Sequence, residues 1–169
     1  MTAADFAVRT TSAAGTIAAG RALGGLVRPG DVALLSGDLG AGKTQLAKGL
    51  AKGLGVSEPV TSPTFNILLV HEGRIPLYHF DLYRLERAEE LEDLDYYATL
   101  EADGVSAVEW GDRFPESLPQ DGIDVVLHTV DDEERLIEVT SLGPRGRELA
   151  RAWREACTTA GLSTHGGEE

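Results

Sequence analysis

The chain has one cysteine, Cys157, in its 169 residues. No disulfide framework can form within it, which suits a reducing compartment. It lacks any apolar run of the ~20 residues needed to span a bilayer as a helix. Met1-Thr2-Ala3-Ala4-Asp5 carries no basic flank ahead of an apolar core, so no signal peptide and a cytoplasmic location are expected. Positive charge is scarce: 15 Lys and Arg stand against 28 Asp and Glu, a formal net charge of −13. Such a surface repels phosphate backbones at long range, so unaided nucleic-acid binding is disfavoured. The three lysines, Lys43, Lys48 and Lys52, fall within one short segment. From Glu86 to Glu116, eleven acidic residues face two arginines, Arg87 and Arg113. That stretch reads first as a solvated acidic face, and secondly as a surface for a basic partner. Hydrophobic residues make up 42 %, which excludes wholesale disorder.

The lysines lead to what is present. Gly37-Asp38-Leu39-Gly40-Ala41-Gly42-Lys43-Thr44 fits the phosphate-loop pattern G-x-x-x-x-G-K-[ST] at every fixed position. Val32 to Ser36 before it is an apolar run suited to a buried parallel strand. After it, Leu46, Leu50 and Leu54 recur every four residues beside Ala47 and Ala51, so a helix with one apolar face begins there. Glycines let the backbone approach an anion, and the freed N–H groups with the helix N-terminus add positive potential. Lys43 reaches β- and γ-phosphates, and the Thr44 hydroxyl suits Mg²⁺.

Along the chain, Phe6–Thr10 reads as a strand, and Ser12 as the cap of a helix over about Ala13 to Leu26. Gly55 stops the helix after the phosphate loop. Phe65–Val70 and Ile75–Phe80 form a hairpin around Glu72-Gly73. Leu85–Leu100 reads as a charged helix with Leu91 and Leu94 inward. Val105–Val108 is a short strand, and Asp124–Val130 with Arg135–Thr140 is a second hairpin. Pro144 opens a last helix to about Thr159. The tail from Ser163 is expected to fray. The order predicts an α/β three-layer P-loop NTPase fold: a mixed, mostly parallel sheet with helices on both faces and added β-hairpins. One P-loop domain is expected over residues 1–161, and a disordered tail over 162–169.

Hydrolysis needs more than a phosphate loop. It needs a second handle on Mg²⁺ and a group that orients water. Asp81 and Glu109 end two apolar strands, where ligands lie in open α/β sheets. Singly, each also reads as a strand-terminal residue facing water; beside a complete phosphate loop, the pair points to a metal site. Thr61-Ser62-Pro63-Thr64 reads either as an ordinary proline-containing turn or as a switch segment that sets a hydroxyl, with Thr64 a candidate, near the γ-phosphate. Trp110 is a nucleotide-contact candidate, although the core is the default for its residue type. His79 reads as structural, since no His or Cys partner stands at metal-ligand spacing.

Four blocks now carry a resemblance: the phosphate loop, Thr61 to Phe65, His79-Phe80-Asp81-Leu82-Tyr83-Arg84-Leu85, and Val108-Glu109-Trp110. In this order they resemble the signature of the TsaE (YjeE) family, bacterial ATPases of tRNA threonylcarbamoyladenosine synthesis. The resemblance implies a small cytoplasmic Mg²⁺-dependent ATPase that turns over slowly without partners. It implies service to the TsaB–TsaD complex, which installs threonylcarbamoyl on tRNA adenosine, through resetting that complex between turnovers. Contact with tRNA would be indirect. Thr44 and Glu109 would hold Mg²⁺, Asp81 would lie near metal and water, and Thr61–Thr64 would be the switch loop. Which acid is ligand and which is base stays open. Arg135 or Thr11–Ala13 are candidates for the base or ribose.

Three rival functions are open to a chain with a phosphate loop. A small-molecule kinase needs an arginine-rich lid, and only Arg84 and Arg87 lie near the acidic stretch. A GTPase needs an Asn-Lys-x-Asp element, and the lone asparagine, Asn66, has Ile67 and Leu68 after it. A nucleotide-gated binding module would not need both acids.

Overall fold

Strand β2 (Val32–Gly37) has apolar residues facing both ways, because it lies at the centre of a covered sheet. Ala33 and Leu35 enter one core, while Val32 and Leu34 enter the other. The computed structural model describes residues 4–38, 40–63 and 65–166. Around β2 run β1 (Phe6–Thr10), α1 (Ala13–Gly24), α2 (Lys43–Gly53), β3 (Leu68–His71) and β4 (Leu77–Asp81). There follow α3 (Glu90–Asp93), α4 (Tyr96–Leu100), β5 (Val105–Glu109), β6 (Ile123–Thr129), β7 (Arg135–Ser141), α5 (Pro144–Thr159) and β8 (Ser163–Gly166).

The sheet order is β3-β4-β5-β2-β6-β7-β1-β8. The central pairs β4–β5, β5–β2 and β2–β6 are parallel. Antiparallel strands flank them: β3 on β4, and β7, β1 and β8 beyond β6. The fold is therefore the expected mixed α/β sheet with a parallel core and both hairpins. Helices α1, α2 and α5 cover one face. The short helices α3 and α4 cover the other. Among the described residues no helix is long and apolar enough to cross a membrane.

Ser12 caps α1 as expected, its Oγ accepting from the Gly15 N–H at 3.1 Å. Pro144 sits in the first turn of α5. Trp153 on α5 is fully buried, donates Nε1–H to the Ala19 carbonyl at 2.8 Å and meets Phe6 edge-on. Helices α1 and α2 touch backbone to backbone. A Cβ on Gly49 would lie 2.0 Å from the Ile17 carbonyl oxygen, and one on Gly20 2.2 Å from that of Leu46. This contact sets the position of α2, and with it the phosphate loop.

Two expectations are corrected. Leu85–Leu100 is not one helix; it breaks into α3 and α4 at Asp95, whose φ is 54°. Leu91 and Tyr96 are both fully buried, yet five residues apart they would face different sides of a continuous helix. The left-handed Asp95 turns both inward. Leu94 is only partly buried. The tail also departs from expectation. Ser163–Gly166 pair with β1, Phe6 opposite Gly166 and Arg9 opposite Ser163. Gly161, at φ 86°, turns the chain back from α5, and Leu162 packs against the core. The unpaired edge of β1 supplies the hydrogen-bonding groups that a polar tail can use. Residues 167–169 lie outside the described residues.

Candidate functional site

The site starts where β2 ends. Gly37 has φ 148°, and a Cβ there would lie 2.6 Å from the Leu127 carbonyl oxygen. Gly42 caps α2 in the left-handed region at φ 106°. Both positions disfavour ordinary side chains, and Gly42 joins the end of the loop to the N-terminus of α2. The Ala41 N–H donates to the Asp38 carbonyl at 2.9 Å. Ala41 is buried under the loop, whereas Asp38 is exposed. Leu39 and Thr64 lie outside the described residues.

A cavity of about 530 Å³ opens beside this loop. Gly40, Gly42, Lys43 and Thr44 line it from the loop side. Asp81, Glu109 and Trp110 line it from the strand ends. Asp81 and Glu109 are register partners on the parallel strands β4 and β5, so their side chains leave the same face side by side. They are 5 % and 3 % exposed. Carboxylates this deep need partners. Asp81 Oδ1 accepts the Tyr83 N–H at 3.0 Å, and Glu109 Oε2 lies 2.7 Å from His79 Nε2. Lys43 Nζ donates to the Gly37 carbonyl at 2.8 Å and stands 5.2 Å from the Trp110 ring centre.

Trp110 is not a core residue. It is 40 % exposed, stacks obliquely on Tyr83 at 4.9 Å and has φ 60°. A bulky residue in the left-handed region is strained, and such strain gathers where the surroundings over-determine a side chain's direction. Here it swings the indole from the end of β5 across to Lys43.

The far wall comes from the β6–β7 turn and the start of α1. Arg135 lines the cavity and bonds four backbone carbonyls: Asp131 at 2.7 Å, Asp132 at 3.3 Å, Glu134 at 3.0 Å and, across the cavity wall, Gly40 at 3.1 Å. It ties the hairpin turn to the phosphate loop. Of the candidate segment Thr11–Ala13, Ala13 lines the cavity. Of the described residues of the Thr61–Thr64 segment, Ser62 lines the same space. Sequence reasoning missed Thr16, Gln45, Asp132 and Glu133 on the wall, and the contact of His79 with Glu109. Gln45 follows Thr44 directly and could have been found; the acidic turn had no motif to mark it.

The sequence and the fold have known counterparts. The family model described as threonylcarbamoyl adenosine biosynthesis protein TsaE matches residues 10–137. A Bacillus subtilis (strain 168) protein named tRNA threonylcarbamoyladenosine biosynthesis protein TsaE is 43 % identical over 138 residues, covering 81 % of this chain and 86 % of that protein. Its namesake from Streptomyces coelicolor is 48 % identical over 134 residues, covering 75 % and 90 %. The crystal structure of Bacillus subtilis YdiB superposes with a TM-score of 0.74 at 35 % identity, over 92 % of this chain and 95 % of that one. With a P-loop sheet, a matched stretch that runs from β1 into β7 and relatives of similar length, the chain belongs to the TsaE family of threonylcarbamoyl adenosine biosynthesis proteins.

Proposed function

We propose that this chain binds ATP with Mg²⁺ and hydrolyses it to ADP and phosphate. The cycle serves threonylcarbamoyl transfer to tRNA adenosine by TsaB–TsaD, resetting that complex between turnovers. One observation carries the reading: Lys43, Thr44, Asp81 and Glu109 converge on a single cavity. The backbone from Gly37 through Gly42, with Asp38, Leu39, Gly40 and Ala41 between, cradles the phosphates. Lys43 swings from the Gly37 carbonyl to the β- and γ-phosphate oxygens. Trp110, Thr64 and Arg135 bound the nucleotide.

The donor set fits Mg²⁺. A hydroxyl and two carboxylates are hard oxygen ligands, and Mg²⁺ takes one or two carboxylates with water and phosphate rather than an all-protein cage. Thr44 and Glu109 would hold the ion, with Asp81 beside it. Bound there, Mg²⁺ neutralises charge on the β- and γ-phosphates. Asp81 and Glu109 together orient the attacking water and accept its proton.

The test is a pair of substitutions. Glu109→Gln is expected to lower kcat by about 100-fold or more while ADP still binds. Lys43→Ala is expected to weaken both binding and turnover. Binding is read by nucleotide titration of protein fluorescence, turnover by phosphate release. Parental turnover by Glu109→Gln would show Glu109 misassigned.

A further inference from the structure

Glu109 shares its burial with His79, which has 0 % exposure. The alternation of β4 explains the meeting. His79 and Asp81 are two residues apart, so both leave the same face of the sheet. Asp81 stands opposite Glu109, and His79 opposite Ala107. His79 therefore lies one pleat deeper than Asp81, below the Glu109 carboxylate. It does not line the cavity. Its Nε2 is 2.7 Å from Glu109 Oε2, while its Nδ1 has no hydrogen-bond partner among the described residues. A ring with its proton on Nε2 satisfies both facts. The N–H donates to the carboxylate, and no buried N–H is orphaned on the far side.

We infer that His79 is a positioning residue for Glu109. Its Nε2–H holds Oε2, fixes the carboxylate rotamer and presents Oε1 to the cavity. A free glutamate side chain has three rotatable bonds, so an unpinned carboxylate must be ordered anew in each turnover. Partners that orient a ligand in this way are worth about 10- to 100-fold in activity or metal affinity. Because His79 does not line the cavity, its effect falls on kcat and on Mg²⁺ dependence, with nucleotide affinity spared. The inference rests on Glu109 acting on Mg²⁺ or the attacking water.

The test compares His79→Gln with His79→Asn. The Gln amide nitrogen reaches the place of Nε2; that of Asn stops at the place of Nδ1. His79→Asn is expected to lose about 10- to 100-fold in kcat, to need more Mg²⁺ and to bind Mg²⁺-free ADP like the parent. His79→Gln is expected to restore most of the rate. In a Glu109→Gln background, His79→Asn should add no further loss. In the parent, ¹⁵N-histidine NMR should show a protonated, slowly exchanging Nε2 that shifts in Glu109→Gln. Equal losses in both His79 variants, no loss in either, or unfolding of both would overturn the inference, the last by making His79 a packing residue. If Glu109→Gln itself turns over at the parental rate, the functional reading has failed, and the NMR signal still decides whether His79 holds the carboxylate.

Discussion

Tyr96 is a buried side chain with an unpaired hydroxyl. Its ring packs edge-on against Phe80 at 5.1 Å, but its OH has no hydrogen-bond partner among the described residues. Burial pushes its pKa up to about 12 from 10.0, and burial likewise pushes the Cys157 thiol up to about 12 from 9.0. Folded-state values above the unfolded ones mean that neither group costs stability below pH 9. Stability falls as pH rises, first through the thiol and then, above pH 10, through the phenol. Tyr96→Phe is therefore expected to gain about 1 kcal/mol at neutral pH by removing an orphaned hydroxyl. It should also flatten the drop in Tm between pH 10 and 12, measured by thermal melts across that range. Single residues differed in how far the sequence revealed them. Lys43 and Thr44 were plain from spacing, since a phosphate loop is local. Trp110 was not, because its left-handed backbone and its contact with Tyr83 arise only once β5 ends beside β4.

Among the elements, α2 carries the phosphate loop, and its seat is the backbone contact with α1. Gly20 and Gly24 on α1 face Gly49 and Gly53 on α2, each too close to a partner carbonyl oxygen for a Cβ. Gly49→Ala would force the helices apart. It is expected to destabilise the protein by about 1–3 kcal/mol, read by urea denaturation, and to weaken ADP binding as the loop shifts. The matched four-residue glycine spacing was visible in the sequence but has no meaning until two helices are known to pack. The broken segment after Leu85 shows the converse. Its helical composition was legible, but burial of both Leu91 and Tyr96 overrides local propensity at Asp95. Strand β8 was illegible because Ser163–Gly166 has no apolar alternation; the open edge of β1 recruits it.

For the molecule as a whole, the proposed work with a partner turns on where the cations lie. Arg135 reaches the cavity, but its guanidinium is committed to carbonyls of the β6–β7 turn and Gly40. A cation from a partner would complete the charge around the γ-phosphate, as in other phosphoryl-transfer enzymes. Hydrolysis by the isolated chain is expected to be slow and to rise on adding TsaB–TsaD, measured by phosphate release with purified components. Equal rates would remove the case for partner-completed catalysis. The motif-bearing parts of this protein could be read in one dimension: the phosphate loop, the strand-end acids Asp81 and Glu109, the two hairpins and the final helix from Pro144. Each is written in a few consecutive residues, where local geometry and periodicity act. What needed three dimensions was every relation between distant segments. Asp81 meets Glu109 through strand register, His79 reaches Glu109 from below, Arg135 ties a hairpin to Gly40, and the tail closes an edge. Those contacts depend on how separate strands align, and alignment is set by burying both faces of one sheet at once.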